Sequence, residues 1–150
     1  MAKTEKTQNA NPSTPWHAQG VAEVMIVNRD LDKAQAVARL GATQGPVRAC
    51  AYAALAGQSF DLVFNGTSAS LAGELPPVPA SVFAPGALAY EMVYGKGLTP
   101  FLRLAADAGV QHLADGVGML AEQAAEAFAW WRGVRPDTKA VIDALTVPLR

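Results

Sequence analysis

A chain of 150 residues is long enough for one domain with a sizeable core, and 51% hydrophobic against 17% charged content excludes an intrinsically disordered one. A net charge of −1 leaves no electrostatic footprint for nucleic acid or an anionic membrane. No apolar run reaches the roughly 18 residues that span a bilayer, and a single cysteine, Cys50, excludes an internal disulfide and suits a reducing cytoplasm.

In chain order, residues 1–20 (MAKTEKTQNANPSTPWHAQG) have no apolar signal-peptide core and read as a polar flexible tail. Residues 21–150 read as one domain. The valine- and isoleucine-rich stretch 21–27 predicts a buried strand, and Leu31, Ala34, Val37 and Ala38 then recur at helical spacing up to a C-cap at Gly41. PVRAC (46–50) predicts a strand, AYAALAG (51–57) a short helix closed by Gly57, and FDLVFN (60–65) a further strand. A proline-rich loop over 73–86 follows, long enough for a functional surface or lid. ALAYEMVY (87–94) predicts a strand, and TPFLRLAADAG (99–109) a helix capped by Thr99, with Pro100 in its first turn and Gly109 at its end. VQHLAD (110–115) predicts the last strand. DGVGMLAEQAAEAFAWW (115–131) predicts a helix whose apolar stripe is Val117, Leu120, Ala124, Phe128 and Trp131. PDTKAVIDAL (136–145) predicts a final helix capped by Asp137. Strands alternating with helices imply an α/β fold with a parallel sheet covered on both faces.

The strand at 21–27 ends as the second strand of a dinucleotide-binding domain ends. There an acidic residue bonds the adenosine ribose of NAD, whereas arginine accommodates the 2′-phosphate of NADP. Here the turn holds Asn28, Arg29 and Asp30, with Lys33 one helical turn on. Two cations and an amide suit a 2′-phosphate, and the charge of Asp30 opposes it. A solvated turn with a helix-start aspartate accounts for the same residues. Asn65, Gly66, Thr67 and Ser68 close the next apolar strand, where open α/β sheets bind ligands. Gly116, Met119 and Gln123 share one helix face at i, i+3 and i+7. A glycine at that helix start lets a cofactor approach closely, and Gln123 can bond a polyol or simply sit in water.

The ordered blocks VNRDLDKA, FDLVFNGTS, YEMVYGKGLTPFL and ADGVGMLAEQAAEAF together resemble the C-terminal part of the shikimate dehydrogenase family, over residues 21–136. What the resemblance implies is an NADP-dependent reduction of 3-dehydroshikimate to shikimate, in aromatic amino acid biosynthesis. It aligns Asn28, Arg29, Asp30 and Lys33 with the NADP-contacting turn, Asp30 standing where threonine is usual. It aligns Asn65, Thr67 and Ser68 with the strand end, Gly66 replacing alanine, and Met92 and Gly116 with the nicotinamide end. Tyr94 and Gln123 align with contacts to shikimate, and Glu91 stands where aspartate is common.

Two parts of the family pattern have no counterpart in these residues. The catalytic lysine and aspartate belong to a substrate domain that the blocks do not include; Lys3 and Lys6 lie in the polar tail, outside any such motif. Nor is there a glycine-rich phosphate loop, since the only glycine before Asn28 is Gly20. The expected architecture is therefore an incomplete Rossmann-like doubly wound parallel sheet lacking its first strand. Such a sheet has open edges that invite an oligomer or a completing partner chain, and it binds NADP weakly or only with that partner. No catalytic residue and no metal site is expected in the chain. The reading from another class is a non-catalytic binding or interaction module that uses the exposed sheet edge; a third is a pseudo-enzyme with residual nucleotide affinity.

Overall fold

The computed structural model describes residues 2–4, 20–43, 45–95 and 97–149. Six strands make one sheet: β1 (Ala2–Thr4), β2 (Val21–Val27), β3 (Val47–Cys50), β4 (Phe60–Asn65), β5 (Phe83–Glu91) and β6 (His112–Asp115). Their spatial order is β3-β2-β1-β4-β5-β6. The pairs β2–β3, β4–β5 and β5–β6 are parallel, as the alternating pattern predicts, whereas β1 runs antiparallel to both of its neighbours. Parallel neighbours need crossovers. α1 (Leu31–Gly41) joins β2 to β3, 3-10 turns at Ala69–Ala72 and Ala80–Val82 join β4 to β5, and α2 (Pro100–Asp107) joins β5 to β6. A 3-10 turn at Tyr52–Leu55 leads from β3 to β4, and α3 (Val117–Arg132) and α4 (Lys139–Leu145) complete the described chain.

Residues 2–4 differ from the expected tail. The sheet position between β2 and β4, where a doubly wound fold carries its first parallel strand, is held by β1. Ala2 lies opposite Val24, Lys3 opposite Glu23 and Thr4 opposite Val21, and Ala2 also faces Leu62. The physical reason is that an open ladder needs backbone donors and acceptors, which any extended segment supplies whatever its side chains. Polarity patterning does not register that. The rest of the expected tail, residues 5–19, lies outside the described residues.

The core sits where strands face α2. Met25, Phe60, Val63 and Ala89 meet Phe101, Leu102 and Ala105, closed off by Leu55 and Val82 from the 3-10 turns. The α2 start is built as its sequence predicts, with Thr99 Oγ1 accepting from the Leu102 amide at 3.3 Å. On α1 the buried positions are Ala34 and Ala38, one turn apart. Gly41 is not a left-handed cap. Ala42 takes the cap position at φ −63°, and a Cβ on Gly41 would stand 3.2 Å from Val47 Cγ2, so the glycine serves the contact of α1 with β3.

Of the stripe expected on helix α3, Val117 alone turns inward. Val117, Ala121 and Ala125 are buried, while Leu120, Phe128 and Trp131 are 37%, 46% and 73% exposed and Ala124 is exposed too. An alanine-rich helix is apolar on two faces, and hydrophobicity alone does not say which turns inward. The proline-rich loop is also shorter than predicted, because β5 begins at Phe83 after a 3-10 turn at Ala80–Val82.

Candidate functional site

β2 pairs parallel with β3; β4, β5 and β6 pair parallel in turn; and β1 runs antiparallel to both β2 and β4. The five strands other than β1 therefore point the same way, and the segments following their carboxyl ends gather along one edge of the sheet. At the end of β2, Asn28 Oδ1 accepts from the Asp30 amide at 3.0 Å, and Asp30 Oδ1 caps α1 by accepting from the Lys33 amide at 3.2 Å. Asp30 also pairs with Lys33 Nζ at 3.6 Å. Arg29 is exposed and, among the described residues, makes no ion pair. Beside it stands Tyr52, whose phenol pKa is raised by burial, an effect that the Arg29 charge partly opposes.

A cavity of about 720 Å³ separates this turn from the end of β4. Asn28, Arg29, Asp30 and Lys33 line one side, and Gly66, Thr67 and Ser68 line the other. Asn65 is buried and shapes the second wall: its Oδ1 accepts from the Thr67 amide at 3.1 Å and from Thr67 Oγ1 at 2.9 Å. Its Nδ2 donates to Glu91 Oε2 at 2.9 Å. Glu91 is fully buried at the end of β5, and the same Oε2 accepts from Ser70 Oγ at 2.5 Å and Thr99 Oγ1 at 3.2 Å.

Further along the edge, the Met92 amide donates to the Asn65 carbonyl at 3.0 Å, and the Met92 side chain is 37% exposed. Glycine is required nearby for protein contacts. A Cβ on Gly116 would lie 2.2 Å from the Met92 carbonyl oxygen and 3.2 Å from Tyr94 Cδ1, and one on Gly66 would lie 3.0 Å from Met92 Sδ. Gly116 thus lets α3 start against the end of β5, a tighter constraint than the cofactor approach expected of it. Asp115 secures the same junction, its Oδ1 accepting from the Val117 amide at 3.1 Å and its Oδ2 from the Gly95 amide at 3.4 Å.

The expected site residues therefore fall into two groups and one outlier. Asn28, Arg29, Asp30 and Lys33 face Thr67 and Ser68 across one cavity, with Asn65 behind. Met92, Tyr94 and Gly116 cluster at the β5 and β6 ends, and Gln123 is exposed on α3. Sequence reasoning missed Tyr52 as a wall of the cavity, although its place just after β3 is a ligand-facing one in α/β sheets. It also missed Glu91 as the meeting point of β4, β5 and α2, because nothing in a strand pattern distinguishes a buried carboxylate from an exposed one. Among the described residues no group of three or more His, Cys, Asp or Glu is placed to hold a metal ion, and no helix is long and apolar enough to cross a membrane.

Comparison with known proteins places this geometry. The family profile described as shikimate 5'-dehydrogenase C-terminal domain matches residues 116–146. A shikimate dehydrogenase (NADP(+)) of Nitrosospira multiformis is 56% identical over 83% of the chain and 45% of its own length. The same enzyme of Dechloromonas aromatica is 53% identical over 90% and 49%. Among solved structures, an Ael1 enzyme from Pseudomonas putida superimposes with a TM-score of 0.83 at 60% identity, covering 91% of this chain and 50% of that one. A Thermus thermophilus shikimate 5-dehydrogenase in complex with NADP(H) and shikimate gives a TM-score of 0.68 at 31% identity, covering 82% and 45%. The chain spans about half the length of the curated relatives it matches. Over the residues it shares with them, it belongs to the shikimate dehydrogenase family.

Proposed function

We propose that this chain serves NADP-dependent reduction of 3-dehydroshikimate to shikimate as the cofactor-side half of the site, and that it does not turn over alone. The observation that carries the reading is Arg29, exposed and without a carboxylate partner among the described residues, at the mouth of a cavity whose far wall is Thr67 and Ser68. A guanidinium left unpaired there suits a phosphate, to which arginine bonds bidentately. Lys33 adds a second cation, weakened by its pairing with Asp30. The donor set therefore fits the 2′-phosphate of NADP, and bound NADP supplies the hydride. Thr67 and Ser68 offer hydroxyls along the cavity, and Met92 and Gly116 form the end assigned to the nicotinamide. Tyr94 and Gln123 are assigned to shikimate, and a cytoplasmic setting goes with this reading. The pyrophosphate lacks the glycine-rich loop of amides that usually holds it, so affinity is weak. No residue of the chain matches the family's catalytic lysine, so proton transfer is assigned to a completing partner.

A second reading, an interaction module, has its own observation. β1 is three residues long against seven in β2 and six in β4, and a cavity of about 480 Å³ opens between those strands, lined by Ile26, Val27, Val63 and Asn65 among others. An added strand from a partner suits that slot, whether or not the partner is catalytic. Amide chemical-shift mapping with NADP⁺ tests the first reading. The expected perturbations cluster at residues 28–33 and 66–68 and are weaker with NAD⁺. Shifts confined to the slot between β2 and β4, or none at millimolar cofactor, would leave only the interaction module.

A further inference from the structure

We propose that Glu91 is the positioning residue of this nucleotide site: its buried carboxylate gathers hydroxyl and amide donors from three elements and so fixes the path of residues 66–68 along the cavity. Its affinity consequence rests on the nucleotide reading; its geometry stands without it. Glu91 is fully buried, and no salt bridge among the described residues involves it. A carboxylate taken out of water without a cation is costly unless hydrogen bonds replace its hydration.

Those bonds are present, and each side-chain donor is aimed by a second bond of its own. Thr99 Oγ1 accepts from the Leu102 amide, so its proton points to Glu91 Oε2. Ser70 Oγ accepts from Asn65 Nδ2 at 3.4 Å and donates to Glu91 Oε2. Asn65 Oδ1 accepts from Thr67 twice, which assigns the other end of the amide as the nitrogen that donates to Glu91. Glu91 Oε1 accepts from the Val93 amide at 3.3 Å. Four donors converge on the two oxygens. Glutamine would bring an NH₂ to face donors at either position, whereas aspartate keeps the acceptor set one methylene short.

The consequence runs outward from the carboxylate. Glu91 holds the Asn65 amide, Asn65 holds Thr67, and Thr67 Oγ1 accepts from the Ala69 amide at 3.4 Å. The wall that faces Arg29 is thus set from a residue that does not line the cavity.

The test compares the chain with Glu91→Gln, Glu91→Asp and Ser70→Ala, by NADP⁺ titration and by amide hydrogen exchange. Glu91→Gln is expected to weaken NADP⁺ about tenfold, the scale of a lost hydrogen bond to a charged group. It is also expected to speed exchange at Thr67 and Ala69 about tenfold, leaving Ala38 of α1 unchanged. Glu91→Asp should restore most of both effects, a rescue that a purely space-filling role does not predict. Ser70→Ala, which keeps the carboxylate, should speed the same two amides by less, and it decides the matter should Glu91→Gln not fold. If the unaltered chain binds no NADP⁺, the nucleotide reading fails and exchange at Thr67 and Ala69 alone decides on Glu91. Wild-type exchange at those amides in Glu91→Gln, or in Ser70→Ala where that variant has to decide, overturns the proposal, as does an equal loss with glutamine and aspartate.

Discussion

Asp30 does two jobs that pull on cofactor choice in opposite directions. Its carboxylate caps α1 through the Lys33 amide, and the same group engages Lys33 Nζ, the second cation of the cavity. Threonine at this position still caps a helix while removing the negative charge and releasing Lys33. Asp30→Thr is therefore expected to tighten NADP⁺ binding by roughly threefold, within the ~0–1 kcal/mol that exposed charge pairs supply, and fluorescence or calorimetric titration reads it. Gly116 is constrained by the protein itself: a methyl group there meets the Met92 carbonyl oxygen at 2.2 Å. Gly116→Ala should cost about 1–3 kcal/mol, the range for overpacking, in urea unfolding. At this scale the sequence was legible where chemistry shows as residue type. Asn28, Arg29, Lys33, Thr67 and Ser68 do meet at one cavity. It was not legible for Glu91, Tyr52 and the steric duty of Gly116, which depend on what lies across the fold.

The helices show the same divide. Caps were readable, since Thr99 and Pro100 open α2 and Gly109 follows it at φ 87°. The inward face of α3 was not, because its alanines and its large apolar residues make rival stripes. Two substitutions separate them. Ala125→Leu should destabilise by about 1–3 kcal/mol through overpacking, whereas Trp131→Ala, at a 73% exposed position, should stay within about 0.5 kcal/mol. The α3–α4 junction has a pH dependence of known sign. Hydrogen bonds from Thr138 and Arg135, more than the Arg135 charge, lower the Glu122 pKa below its usual value. A carboxyl whose folded pKa is depressed contributes stability above its unfolded pKa and loses it as pH falls through the folded value. Protection of the α4 amides, taken relative to their intrinsic exchange at each pH, should therefore fall on acidification through the carboxylate range, and Glu122→Gln should remove that dependence. Unchanged protection in the acid range would contradict the junction described.

For the molecule as a whole, the alternation of strands and helices gave the parallel pairings, and the missing phosphate loop pointed to a gap in the sheet. What no pattern foretold is that Ala2–Thr4 enter that gap antiparallel, because backbone hydrogen bonding is blind to side chains. Among the described residues β1 covers only part of β2 and β4; association with a second chain is expected, and light scattering at micromolar concentration should give a dimer or larger. A cooperatively melting monomer would show the edges already covered. The chain alone should not reduce NADP⁺ with shikimate, and turnover in the enzymatic range of about 1–10³ s⁻¹ would contradict the half-site reading. The central claim, that the turn after β2 holds the 2′-phosphate of NADP, is tested most directly by calorimetric titration of the chain and of Arg29→Ala with NADP⁺ and NAD⁺. The predicted result is NADP⁺ binding no tighter than roughly millimolar, about −4 kcal/mol, weaker binding of NAD⁺, and loss of the difference in Arg29→Ala. Equal affinities for the two cofactors in the unaltered chain would contradict it.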